Sequence, residues 1–416
     1  MALNHKEPDR VPHDLGATTV TGMHVSVVYQ LRQALGLDVP GTPIKVMDPL
    51  QMTGEIKPDL IDALGVDFLA LRGRCTRFGF ANDGWKPWTF LDGTPVLVPA
   101  GFNTEPEPNG DILMYPGGDR SAPPSGLMPK DGFYFDPITR QPPIDDSKLN
   151  VEDNLEEFGP ISPDELDYLK GETERLYLET DKAIVAGLGG SSFGDMAVVP
   201  GLALKQPKGI RDVAEWYVSM VTRRDYIYQV FNRQCEIALT NLERFYRVVG
   251  NRVTVLRVSA TDFGQQRGPL VSPQNYRDLF QPFHKRVNDW VHQHTSWKTF
   301  IHSCGSARML LEDFIDAGFD IFNPVQCSAA GMDPVKLKNE YGDRIVFWGA
   351  GVDTQRTLPF GTPDEVRREV RERIRVFAPG GGFVFNPIHN VQARTPLENL
   401  LAMYETVRKE GCYPVA

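Results

Sequence analysis

Three residue groups could do chemistry, and the first is His302-Ser303-Cys304. In an extended chain residues i and i+2 share a face, so His302 and Cys304 point to the same side. An imidazole and a thiolate held together suit Zn²⁺, which takes nitrogen and sulfur ligands near tetrahedral geometry. Cys327, just beyond the next apolar run, offers a third ligand from a neighbouring loop. The same pair also occurs as a packed cysteine beside a hydrogen-bonded histidine. The second group is His389 within Asn386-Pro387-Ile388-His389-Asn390-Val391-Gln392, a metal ligand, a proton carrier or a structural hydrogen-bonding residue. The third is Asp262 in Thr261-Asp262-Phe263-Gly264-Gln265-Gln266, an acid/base or substrate anchor, although Asp-x-Gly also makes a plain turn.

These residues need strands to hold them. Short apolar runs predict eight strands, at 11–15, 67–71, 183–188, 253–258, 299–302, 320–325, 345–349 and 383–386. Helical patterns fill most gaps, at 163–180, 212–248, 272–294, 307–317, 334–341, 363–377 and 396–410. Ser162-Pro163-Asp164-Glu165, Thr362-Pro363-Asp364-Glu365 and Thr395-Pro396-Leu397-Glu398 each read as an N-cap hydroxyl, a proline at N1 and a carboxylate at N3. Strands alternating with helices imply parallel βα units, and eight of them imply an α/β fold, the (β/α)₈ TIM barrel. A doubly wound sheet is the rival, but Leu15-Gly16-Ala17-Thr18 is not a glycine-rich phosphate turn.

Residues 74–160 do not fit the alternation; 101–150 are dense in proline and 78–98 alternate aromatic with polar residues. They read as an antiparallel β insertion after the second strand, within a single barrel domain spanning 1–416. Barrel active sites lie beyond the C-terminal strand ends. Those positions hold Asp14, His24, Arg72, Arg74, Ser191, Ser192, Gln265, Gln326, Asp353 and Asn386 in addition to the three groups above. His24, Arg72, Gln326 and Asn386 are the expected substrate contacts. No GxSxG elbow accompanies the serines, so nothing in the sequence points to a serine-hydrolase triad.

Composition narrows the class. Of 416 residues, 41% are hydrophobic and 24% charged, which suits a globular chain. A net charge of −10 without a basic run argues against nucleic acid or an anionic membrane as partner. Five scattered cysteines without CxxC argue against a disulfide framework and for a reducing, cytoplasmic setting. No apolar run approaches the ~18 residues of a membrane span.

The segment 253–407 resembles the uroporphyrinogen decarboxylase superfamily, and within it the corrinoid-linked methyltransferase branch. The resemblance is carried by Asp262-Phe263-Gly264-Gln265-Gln266, Gly268-Pro269-Leu270-Val271-Ser272-Pro273, His302-Ser303-Cys304-Gly305, Phe322-Asn323-Pro324-Val325-Gln326, and Gly380-Gly381-Gly382-Phe383 leading to His389-Asn390-Val391-Gln392. Glu7-Pro8-Asp9-Arg10-Val11-Pro12 fits as well. The resemblance implies a (β/α)₈ barrel, Zn²⁺ on His302 and Cys304, a corrinoid (cobalamin) cofactor on a partner protein, and a dimer as one available state. The decarboxylases' arginine motif after the first strand is missing from 13–22, which speaks against a porphyrinogen with many carboxylates. The branch's third zinc ligand is a cysteine after the last strand, where this chain has Gly381-Gly382, and Cys327 is the expected replacement.

The function these readings imply is zinc-dependent transfer of a methyl group between a small molecule and a corrinoid. His389 or Asp262 would handle the proton. The rival is a metal-independent decarboxylase of a small acid that uses Asp262 and His389, with Arg72 or Arg74 as carboxylate anchor.

Overall fold

The computed structural model describes residues 1–415. Seven strands lie side by side in chain order: Phe68–Leu71, Ala183–Gly187, Val255–Ser259, Lys298–His302, Ile321–Asn323, Val346–Trp348 and Phe383–Val384. Every pairing is parallel, and the sheet curls in the manner of a TIM barrel. The expected eighth strand, 11–15, is instead an extended segment with a single parallel bridge, His13 to Phe385. It still joins the two outer strands. Phe385 N–H donates to the Pro12 carbonyl at 2.8 Å, Asp14 N–H to Phe385 at 2.9 Å and Asp67 N–H to His13 at 2.8 Å. Arg10 pairs with Asp67 at 2.7 Å beside this seam.

Alternation along the strands sets up two interior layers. Val185, Val255, Phe300, Ile321, Val346 and Val384 form one buried cluster, distinct from the larger core between sheet and helices. Two positions further along the same strands stand Arg257, His302, Asn323, Trp348 and, just past the last strand, Asn386. An apolar floor thus carries a polar layer directly above it, on the side where barrel chemistry occurs.

Helices cover the outside. Pro163–Glu179 and Pro363–Phe377 begin where their start signals lie, with Ser162 and Thr362 accepting from the N3 amides and Glu365 completing a capping box. The third signal fails. Pro396, not Thr395, is the N-cap of Leu397–Glu410, and the Thr395 hydroxyl donates back to the Gln392 carbonyl. The long 212–248 run divides into Val213–Thr222 and Arg224–Val249 at Arg223, whose φ of −130° leaves the helix.

Several early elements were not anticipated: the helix Val25–Ala34, the strands Ile44–Asp48 and Thr53–Gly54, and the helix Pro58–Leu64. Ile44–Asp48 pairs in parallel with Pro95–Val98, which in turn pairs antiparallel with Lys86–Thr89. A separate antiparallel sheet holds Ile112–Met114, Gly126–Met128 and Asp136–Pro137. Phe78, Phe90, Phe102 and Phe135 of this region are buried in the large core, so the region packs down on the barrel. Among the described residues no helix is long and apolar enough to cross a membrane.

Burial pushes His13 and His24 down to about 4 and His284 down to about 3, from an ordinary 6.5. The Nε2 atoms of His13 and His284 are buried without a partner, which suits neutral rings. Below 6.5 the unfolded chain binds protons that the native chain refuses, so stability falls with falling pH by up to ~1.4 kcal/mol per unit for each ring. Asp14, raised from 3.8 to about 6 by burial, works in the opposite sense. His302 and His389 are lowered in the same way, and burial also raises Asp195, Asp262 and Glu157, so five rings stand against four carboxyls. Urea midpoints are expected to drop between about pH 6.5 and about pH 4.5; a flat profile there would refute neutral burial.

Candidate active site

His302 ends its strand facing the interior, and the chain then turns to bring Cys304 back beside it. The Cys304 Sγ lies 3.4 Å from the His302 Nε2. His389, from the loop after the last strand, closes the group: donor atoms of His302, Cys304 and His389 all lie within 4.8 Å of one another. The two imidazoles meet edge to face, with ring centres 5.6 Å apart.

The proton on His302 follows from its neighbour. Asn323 Nδ2 donates to the Trp348 carbonyl at 3.0 Å, which orients its amide and leaves Oδ1 as the acceptor. Oδ1 is 2.7 Å from His302 Nδ1, so Nδ1 carries the hydrogen and Nε2 presents a bare lone pair toward Cys304. Metal-binding histidines are commonly oriented this way, by a hydrogen bond from the other ring nitrogen.

Asp262 positions the sulfur. Its Oδ1 accepts the Cys304 N–H at 2.7 Å and lies 3.8 Å from His302 Nε2. Burial raises the Asp262 carboxyl, with the Cys304 N–H and His389 partly offsetting it. Burial, with Asp262 beside it, also pushes the Cys304 thiol well above its ordinary value. Both histidines are driven down to about 4 by burial. The group therefore stands as neutral nitrogens and a protonated thiol.

The loops carrying Asp262 and Cys304 touch backbone to backbone. A Cβ on Gly264 would lie 2.5 Å from the Cys304 carbonyl oxygen, and one on Gly305 (φ +81°) would lie 2.7 Å from Gln265 N. Gln326 Oε1 accepts the Gly305 N–H at 2.9 Å, and its Nε2 donates to Gln266 at 3.1 Å. Gln326 thus braces the turn behind the sulfur.

The other expected residues scatter. Cys327 stands outside the donor group: as Gln326 faces inward its neighbour faces outward, toward Arg373 and Glu369, and its Sγ donates to the Val325 carbonyl. His389 takes the place the sequence reading gave to Cys327. His24 caps the helix Val25–Ala34, its Nδ1 on Ser26 and its Nε2 3.0 Å from the Phe133 carbonyl, with the ring against Phe90. Nδ1 thus caps its own helix while Nε2 ties that helix to the segment holding Phe133, so both nitrogens are engaged within the chain. Asn386 Nδ2 donates to the carbonyls of Asp14 and Thr21, tying down the segment that completes the ring of strands. Arg72 does line a cavity, with Nη2 on the Gly16 carbonyl at 2.9 Å. Arg74 is exposed and stacks over Tyr168.

Asn323, Arg77 and Arg257 were passed over in the sequence. Asn323 and Arg257 each follow an apolar strand residue by two positions, and that interruption of an apolar run was the available signal. Arg77 lies in irregular chain with no local pattern.

A TIM-barrel-like α/β chain with polar residues gathered above an apolar floor has the architecture of barrel enzymes. The chain belongs to the uroporphyrinogen decarboxylase family: the profile of that family, Uroporphyrinogen decarboxylase (URO-D), matches residues 137–410. A uroporphyrinogen decarboxylase of Microcystis aeruginosa is 24% identical over 388 residues, covering 92% of this chain and 97% of that protein. One from Crocosphaera subtropica is 22% identical over 297 residues, 68% of this chain and 74% of the other. Among solved structures, a methyltransferase from Methanosarcina mazei superposes with a TM-score of 0.52 at 16% identity, over 98% of this chain and 96% of that one. That likeness is one of fold.

Alkylation offers a direct check on the protonated thiol. Cys75 and Cys412 are exposed, while Cys304 is only partly accessible with its thiol held protonated. Iodoacetamide at about pH 8 is expected to modify Cys75 and Cys412 first and Cys304 far more slowly, as read by peptide mass spectrometry. Prompt labelling of Cys304 would contradict the site's electrostatics.

Proposed function

We propose that the protein is a zinc-dependent methyltransferase that moves a methyl group between a small-molecule substrate and a corrinoid carried on a partner protein. The observation that carries this reading is the donor set: His302 with Nε2 bare, Cys304 and His389 within 4.8 Å of one another. Two nitrogens and a sulfur match the ligands zinc takes in catalytic sites, where three protein ligands leave a position for substrate. The fold shared with a methyltransferase and the motif resemblance support the same branch of the family.

His302, Cys304 and His389 would hold the ion. When bound, zinc supplies Lewis acidity that lowers the pKa of a substrate thiol or hydroxyl and readies it as a nucleophile near neutral pH. The remaining work belongs to the chain. Asn323 keeps Nε2 free and aimed. Asp262, accepting from the Cys304 amide, stands where it receives the thiol proton that metal binding must displace. Gln326 and Gln266 hold the turn behind Cys304 against drift.

Elemental analysis tests the reading. Wild-type protein is expected to hold about one zinc per chain, and Cys304→Ala and His389→Ala to lose it. Cys327→Ala should keep it, because its sulfur faces away. Asn323→Ala should weaken zinc affinity by about 10- to 100-fold while preserving the fold by circular dichroism. Free methylcobalamin, followed by its visible spectrum, reports methyl transfer to or from candidate substrates. Wild-type protein that stays empty after zinc addition and desalting would overturn the proposal in favour of a metal-independent decarboxylase using Asp262 and His389.

A further inference from the structure

A second cluster of charge lies beside the donor group. Arg72, Arg77 and Arg257 line one cavity of about 160 Å³ together with Asp48 and Thr19. That is far more than the ~15 Å³ a single water needs. Arg257 projects from the strand Val255–Ser259, and Gly187 on the neighbouring strand leaves it room, since a Cβ there would lie 3.3 Å from its Nη2.

What these guanidiniums lack sets them apart. Arg77 and Arg257 each donate to the Thr19 hydroxyl at 3.0 Å, and Arg72 donates to the Gly16 carbonyl at 2.9 Å. Among the described residues none of the three has a carboxylate within 4.0 Å. The two fully buried arginines are paired with carboxylates, whereas part-buried Arg140 rests on carbonyl oxygens alone. Arg32 meets Asp38 and Asp59 at 2.5 and 2.6 Å, and Arg211 meets Glu157 at 2.6 Å. Burial, with Arg77 and Arg72 close by, pulls Arg257 down to about 10, and Asp195 and Asp48 offset this only in part. Charge held away from water with no carboxylate in contact is costly, and such groups gather where ligands bind.

Asp48 adds a complementary demand. Its Oδ1 accepts the Leu50 N–H at 3.0 Å, while its Oδ2 is buried with no partner. The cavity therefore asks for an anion and, alongside it, a hydrogen-bond donor. Met47, Ala70 and Leu71 supply apolar wall between them. Arg77 bears electrostatically on both His302 and His389, and Arg257 on His302, so the cavity and the donor group share one interior.

We propose that this cavity seats the carboxylate of a small hydroxylated organic acid, with Arg72, Arg77 and Arg257 holding the oxygens and Asp48 accepting the hydroxyl. A carboxylate suits the guanidinium fork, which offers parallel N–H donors. A phosphate dianion would instead press its second charge on Asp48. The proposal rests on the preceding reading for its reaction, since it names the acid as the class of substrate, but binding is separable from metal and from methyl transfer.

Isothermal titration of the purified protein with lactate and with para-hydroxybenzoate tests it, using para-hydroxybenzamide and inorganic phosphate as controls. At least one acid is expected to bind, and the neutral amide to bind about 10- to 100-fold more weakly than its acid. Arg257→Met and Arg77→Met should each weaken the acid by a similar factor, with Arg257→Lys intermediate. The Arg257→Met protein should melt no lower than wild type, because the change removes a part-buried charge that touches no carboxylate. Wild-type protein stripped of metal with a chelator should still bind the acid, so acid binding is read apart from zinc and methyl transfer. The proposal is overturned if neither acid binds, if acid and amide bind equally, or if both methionine variants bind normally. Phosphate binding in place of the acids would make this an inorganic-anion site, and a marked fall in the Arg257→Met melting temperature would make the guanidinium structural.

Discussion

The site depends on the contact between two loops at adjacent strand ends, 262–266 and 302–306. Gly264 and Gly305 let their backbones meet at distances no side chain would permit. The contact is then locked by hydrogen bonds in both directions: Ser306 N–H to the Gln265 carbonyl at 2.8 Å, Phe263 N–H to the Ser303 hydroxyl at 2.9 Å, and Cys304 N–H to Asp262 at 2.7 Å. The sulfur's location is therefore a property of main-chain packing. Without that packing Cys304 would swing free of His302, and Asp262 would lose the amide that offsets the cost of its burial.

The barrel supplies the rest through simple alternation. Because side chains two apart share a face, every apolar residue of the interior floor implies a second residue above it on the same strand. On four consecutive strands that second residue is Arg257, His302, Asn323 and Trp348. Each of them is engaged: Arg257 on Thr19, His302 on Asn323, Asn323 on Trp348, and the Trp348 indole on Asp14 at 2.9 Å. Site and core are thus successive layers of the same strands, and the apolar layer holds the polar one in register.

This layering also explains what the sequence revealed and what it withheld. Seven strands were legible because each is a short apolar run rich in branched or aromatic residues and mostly buried. The segment at 11–15 looks the same, but only part of it pairs, since Gly16 turns the chain away at a φ of +84°. His302 and Cys304 were legible because two chemically distinctive residues fell two apart. His389 was legible as one candidate ligand, but choosing it over Cys327 requires knowing which way each side chain faces after its strand ends. Arg77 was invisible for a similar reason: its partners Thr19 and Arg257 are distant in sequence and converge only in the folded barrel.

The seam at 12–14 has a consequence for how the chain comes to exist. Its hydrogen bonds reach Asp67 on one side and Phe385 on the other, so the ring of strands joins segments far apart in the sequence. A ribosome releases Pro12 long before Phe385 has been made. Throughout synthesis, and in any refolding that begins with the central strands, the curled sheet carries two open edges with unpaired amides and carbonyls. Contacts of such sequence separation form slowly, because a long loop must close before they contribute anything. The last strand to be translated is therefore the one that ends the chain's exposure to strand-to-strand association with its neighbours.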